Sequence, residues 1–123
     1  LAVSWSAPQP GGRNASYSDT LTLRNLGTDA STSTRLRIEV QPQAPTTVTV
    51  VAPTGWTCAR LASYIHECAA SRDVAAGSRH VFTVNQRDSR TQATRNPYRS
   101  TATASGALLD PDTSNNTAVI VNP

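Results

Sequence analysis

The sequence predicts an all-β domain, an antiparallel two-sheet sandwich of seven to nine short strands, and three observations carry that expectation. Apolar residues recur with a period of two rather than 3.6. Turn-forming clusters separate the alternating runs: Pro8 to Gly12, Asn25-Leu26-Gly27, Pro42 to Pro45, Pro53-Thr54-Gly55, Ala76-Gly77 and Asp110-Pro111-Asp112. Seventeen Thr, 13 Ser and 8 Pro weight the composition toward strands and turns.

The elements follow in order. Leu1 to Trp5 alternates, as does Tyr17 to Asn25, with Tyr17, Asp19, Leu21 and Leu23 on one face and Ser18, Thr20, Thr22 and Arg24 on the other. Thr34 to Val40 sends Leu36, Ile38 and Val40 inward and Arg35, Arg37 and Glu39 outward. Further strands are expected over Thr46 to Val51, Trp56 to Ala59, Ile65 to Ala69, Arg79 to Val84, Arg99 to Ser105 and Thr117 to Val121. Arg60 to Ile65 alone reads as a helical turn, and Pro8 to Asn14 and Gln86 to Pro97 read as mobile loops. No repeat or linker divides the 123 residues, so residues 1–123 are expected to form a single domain.

Absent residue types narrow the chemistry. Without Lys there is no Schiff-base lysine, no phosphate-loop lysine and no Lys–Asn isopeptide crosslink. Without Met, even at position 1, the chain reads as a processed or excised segment whose targeting signal lies elsewhere. Apolar runs reach only about four residues against the roughly 20 of a spanning helix, so the chain is not expected to span a membrane.

Cys58 and Cys68 are the two thiols. Zinc would require four ligands; the candidates are these cysteines with His66 and His80, in no paired spacing. A disulfide is the preferred reading, worth about 2 to 3 kcal/mol for a loop of this length. Such a bond persists outside the cytoplasm, so a secreted, periplasmic or cell-surface location is expected.

Several segments fall into a recognisable order. Asp19-Thr20-Leu21-Thr22-Leu23-Arg24-Asn25-Leu26-Gly27-Thr28 follows the first strand, then Pro53-Thr54-Gly55-Trp56-Thr57-Cys58 and a second cysteine at Cys68. Val74-Ala75-Ala76-Gly77-Ser78 leads into Val81-Phe82-Thr83-Val84, and Ala102 to Ser105 precedes Asp110-Pro111-Asp112-Thr113-Ser114-Asn115-Asn116-Thr117. This order resembles the bacterial surface repeat catalogued as domain of unknown function eleven, an immunoglobulin-like module. The resemblance covers nearly the whole chain. It implies an immunoglobulin-like sandwich that works as a stalk, spacer or adhesion unit on secreted or wall-attached proteins. Arg60 to Glu67 is longer and less strand-like than that pattern, and Gln86 to Pro97 is enlarged; specificity is expected in such loops.

Catalysis is not expected. A hydrolase triad needs a His beside its nucleophile, yet His80 opens an alternating strand and His66 sits inside the cysteine loop; there is no G-x-S-x-G and no H-E-x-x-H. No cofactor is implied. Asp110, Asp112 and Asn115 are a weak calcium candidate, Asp29 adding a ligand if the loops meet, but their spacing is not that of an EF-hand and the preferred reading is an Asx-bonded hairpin. Arg79, Arg87, Arg90, Arg95 and Arg99 fall close together with Asp88 the one acid among them, in a chain of net charge +3. Their guanidinium forks suit sulfate, phosphate or carboxylate, and Tyr98 offers a stacking face. The other reading is a solvated loop. Trp56 is expected to pack on the disulfide, and Trp5, Tyr64 and Tyr98 form a sugar platform if exposed.

The function expected is thus a non-catalytic structural or adhesive module of an exported bacterial protein, a spacer, stalk or accessory domain. Its partners would be neighbouring domains and, beyond them, a polysaccharide or another surface protein, but no nucleic acid. The alternative is a module that binds an anionic or carbohydrate ligand through Arg87, Arg90, Arg95, Tyr98 and Arg99.

Overall fold

Alternating burial marks most strands of the computed structural model, which describes residues 1–6, 16–42, 45–88, 98–107 and 116–122. Nine strands result: β1 (Ala2–Trp5), β2 (Ser16–Arg24), β3 (Arg35–Pro42), β4 (Thr46–Val51), β5 (Trp56–Ala62), β6 (Ile65–Ala70), β7 (Arg79–Asp88), β8 (Tyr98–Ser105) and β9 (Thr117–Asn122). No helix occurs among the described residues. One sheet runs β1-β2-β7-β4 and the other β5-β6-β3-β8-β9, with every pairing antiparallel.

The inward positions of the two sheets make one core. Leu21 and Phe82, directly opposed on β2 and β7, are fully buried, as are Leu23 and Val84 beside them. Leu36, Ile38, Val40, Ala102 and Ala104 face them from β3 and β8. Each large apolar side chain removed from water contributes about 1.5 to 3 kcal/mol, and this burial sets the register, since a slip of one residue would turn the whole set outward.

Three hydrogen-bonded features close the sandwich. Trp5 Nε1 donates to the Ala118 carbonyl at 3.1 Å, tying the first strand to the last. The buried Asn25 side chain donates to the carbonyls of Asp29 and Val74 and accepts from the Gly27 N–H, so the expected Asn-Leu-Gly turn also anchors the loop before β7. Gly77, at φ +77°, returns its N–H to the Asn25 carbonyl from a left-handed conformation that costs glycine little.

Two expectations need correction. Arg60 to Ile65 is not helical: β5 continues to Ala62, Ser63 and Tyr64 turn, and β6 begins at Ile65, with a register shift between Arg60 and Ala62. Pairing wins because the Tyr64 carbonyl accepts from the Val40 N–H at 2.9 Å and its hydroxyl accepts from the Thr46 N–H at 3.3 Å. Gln86 opens no loop, because β7 runs to Asp88, Arg87 pairing with both Ser16 and Thr47. The expected loop Pro8 to Asn14, and residues 89–97 of the expected loop Gln86 to Pro97, lie outside the described residues.

Candidate functional site

The end of the sandwich where β7 finishes and β8 begins carries Arg87, Tyr98 and Arg99 of the residues singled out for binding. Arg87 follows the buried Gln86 on β7, so it points out from the first sheet. Arg99 sits between the buried Tyr98 and Ser100 on β8, so it points out from the second. The two exposed guanidinium groups therefore lie on opposite outer faces, and no single small ligand is gripped by both. Arg90 and Arg95 lie outside the described residues, as do Asp110, Asp112 and Asn115 of the calcium candidate. Among the described residues no group of three His, Cys, Asp or Glu is placed to hold a metal ion.

Tyr98 corrects a further expectation. It is 3% exposed, and its hydroxyl donates to Asp19 Oδ2 at 2.6 Å, so it is a strut between the sheets and offers no stacking face. Trp5 and Tyr64 are each half-buried, Trp5 against Tyr98 and Ile120, so the three rings form no open sugar platform. Inward parity on β8 puts Tyr98 where it is.

Around this strut the core turns polar. Asp19, Gln86 and Ser100 occupy inward positions on β2, β7 and β8, and Asp19 Oδ1, Gln86 Nε2 and Ser100 Oγ are buried without partners. Burial pushes the Asp19 carboxyl above the usual carboxylate range, and the Tyr98 hydrogen bond opposes that push. The inward parity of Asp19 was visible in the sequence; what it would meet there was not.

The cysteines do form a disulfide. Cys58 and Cys68 are directly opposed on β5 and β6, so the bond staples an edge hairpin within one sheet. Trp56, at the head of β5, shares the core cluster with Cys68 and meets the facing sheet: its centroid lies 5.0 Å from Phe82 and 5.7 Å from His80, both edge-on. Its Nε1 donates to His80 Nδ1 at 3.1 Å, which leaves the ring proton on Nε2, 3.2 Å from Ser78 Oγ. Ser78 Oγ in turn donates to the Ala75 carbonyl at 2.6 Å. Both nitrogens of His80 are thus engaged in holding a loop to a strand. His66, paired with Arg60 and Ile38, is buried with Nδ1 unpartnered; burial holds its imidazole below the ordinary range and the Arg60 charge adds to that effect.

The outer face of the first sheet holds a pair that sequence spacing did not expose. Arg24 and Arg79, both exposed, are direct cross-strand partners on β2 and β7. The register alone brings together two residues 55 positions apart in the chain.

No family model matches the chain, and no curated protein sequence does. Solved structures share its architecture, three of them as follows. The CARDB domain of a Pyrococcus furiosus protein, solved in complex with di-metal ions, superposes with a TM-score of 0.62 at 17% identity, over 98% of this chain and 83% of that one. An uncharacterized Nocardia farcinica protein with an immunoglobulin-like fold gives 0.56 at 12% identity, over 97% and 96%. The collagen-binding domain from a Staphylococcus aureus adhesin gives 0.55 at 6% identity, over 98% and 96%. This chain is an immunoglobulin-like sandwich. In immunoglobulin terms β1-β2-β7-β4 take the places of strands A-B-E-D and β3-β8-β9 those of C-F-G, with the β5–β6 hairpin added beside C. The disulfide lies in that added hairpin rather than between the sheets as in antibody domains.

Proposed function

We propose that this immunoglobulin-like domain is a non-catalytic structural or adhesive module of an exported bacterial protein, a spacer, stalk or accessory domain. The observation that carries the reading is the Cys58–Cys68 bond on an edge hairpin of the sandwich. A cystine of this kind endures where no cellular reductant reaches it, which supports a secreted, periplasmic or surface location. The shared fold with an adhesin domain supports the adhesive side of the reading, and the order of motifs from Asp19 to Thr117 supports a surface repeat of the domain-of-unknown-function-eleven type. His80, the strand-end histidine, is occupied by Trp56 and Ser78, which supports a structural role for it.

Intact-mass analysis of natively exported material should show the two cysteines joined. Two free thiols would remove the argument for location. A panel of chromogenic esters and glycosides should show no turnover; activity lost in His80→Ala would replace the module with an enzyme.

A further inference from the structure

We propose that the outer face of the first sheet binds a linear polysaccharide carrying carboxylate or sulfate groups. The surface gives the adhesive side of the function proposed above a location and a ligand class, and rests on that reading only for the chain's export.

Charge is unevenly divided between the two outer faces. On the first sheet the outward positions carry Arg24, Arg79 and Arg87, and no carboxylate among the described residues. On the second sheet Arg35, Arg37 and Arg99 are accompanied by Glu39 and Glu67, and Arg35 Nη1 pairs with Glu67 Oε1 at 2.7 Å. Among the described residues the first face therefore holds three positive charges and no outward carboxylate, against a formal net charge of +3 for the entire chain.

The arrangement of the three arginines selects the kind of anion. Arg24 and Arg79 are directly opposed, a placement in which like charges repel. An anionic group seated between their forks converts that repulsion into two charge-assisted contacts. Arg87 lies eight residues farther along β7, roughly 27 Å at the usual rise of a strand. A small anion cannot span that distance, but an extended chain of charged sugars can.

Between the two charged ends the face carries mostly short polar groups, interrupted by the exposed Val81 on β7 and Val51 on β4. Thr20 opposes Thr83, and Ser18 donates from Oγ to Asn85 Oδ1 at 2.6 Å. Hydroxyls and amides in rows match the hydroxyls of a sugar polymer. The face carries no aromatic side chain among the described residues, and base stacking on aromatics is what single-stranded nucleic acids use.

The test is chromatography of the 123-residue chain on immobilised polygalacturonate, heparin and single-stranded DNA, with elution by salt. The chain should be retained on the two polysaccharides at low ionic strength. The variant Arg24→Ser, Arg79→Ser, Arg87→Ser should bind on the order of tenfold more weakly. The matched variant Arg35→Ser, Arg37→Ser, Arg99→Ser removes equal charge from the other face and should keep most of the affinity. Circular dichroism melts of both verify that the sandwich is intact. Equal loss in the two variants, tighter retention on DNA than on polygalacturonate, or no retention of the native chain would each overturn the assignment. Absence of retention leaves the structural module standing, whereas free thiols in exported material undermine the module without touching the column result.

Discussion

The Tyr98 hydroxyl and the Asp19 carboxyl meet at 2.6 Å across the sandwich, joining β8 to β2 between residues 79 positions apart. One oxygen of that carboxylate is bonded and the other, Oδ1, is buried without a partner. Tyr98→Phe leaves both oxygens without this donor and should cost about 1 to 3 kcal/mol. Urea unfolding at pH 7 measures it; an unchanged midpoint would show the contact to be idle.

Asp19 also makes stability depend on pH. The fold raises its affinity for a proton above that at the ordinary value of 3.8, so the stabilisation from the neutral carboxyl is complete below 3.8 and is lost as pH rises through the folded value. Asp19→Asn should flatten the stability profile on the alkaline side of 3.8. Denaturant titrations from pH 3 upward, native against variant, decide the point; parallel profiles would contradict it.

His66 acts in the opposite sense. Burial and the Arg60 charge disfavour its protonated form, so its contribution is complete above 6.5 and disappears as pH falls through its lower folded value. His66→Leu should make stability less sensitive to acid below pH 6.5. Thermal melts across that range would show the native midpoint falling more steeply than that of the variant.

The disulfide closes a loop between residues ten apart, and Cys58→Ala with Cys68→Ala should cost about 2 to 3 kcal/mol. Because β5 is an edge strand, hydrogen exchange should quicken in β5 and β6 while the amides of β2 and β7 keep their protection. Uniform loss of protection would mean that the hairpin is integral to the core.

His80→Ala removes the acceptor for the Trp56 indole N–H, at an expected cost of about 1 to 2 kcal/mol, and near-UV circular dichroism should report a looser Trp56 ring. Phe82→Ala, which empties the centre of the core under the same indole, should cost about 3 to 5 kcal/mol. A smaller loss at Phe82 than at His80 would reverse the ranking of packing over hydrogen bonding here.

Particular residues show how far the sequence could be read. Leu36, Ile38 and Val40 announce their burial by alternation, and all three are buried. The same parity rule puts Tyr98 and Ser100 inside and Arg99 outside, so the ring among these arginines belongs to the core and the guanidinium groups to the surface. Arg60 to Ile65 misled for another reason. Its local pattern admits a helical turn, and only partner strands and the Tyr64 contacts make it a hairpin. The arginines divide likewise: proximity in sequence groups Arg87 with Arg99, whereas the sheets send them to opposite faces.

Period-two alternation, turn residues and a single pair of cysteines determined the all-β sandwich and its strand inventory, because side-chain parity along a strand is a local property. The tertiary structure decided which residues share a surface: Arg24 with Arg79, Asp19 with Tyr98, Trp56 with His80 and Phe82. Those neighbours are set by strand order and register, which follow from burying one common core and have no signature within any short stretch of chain.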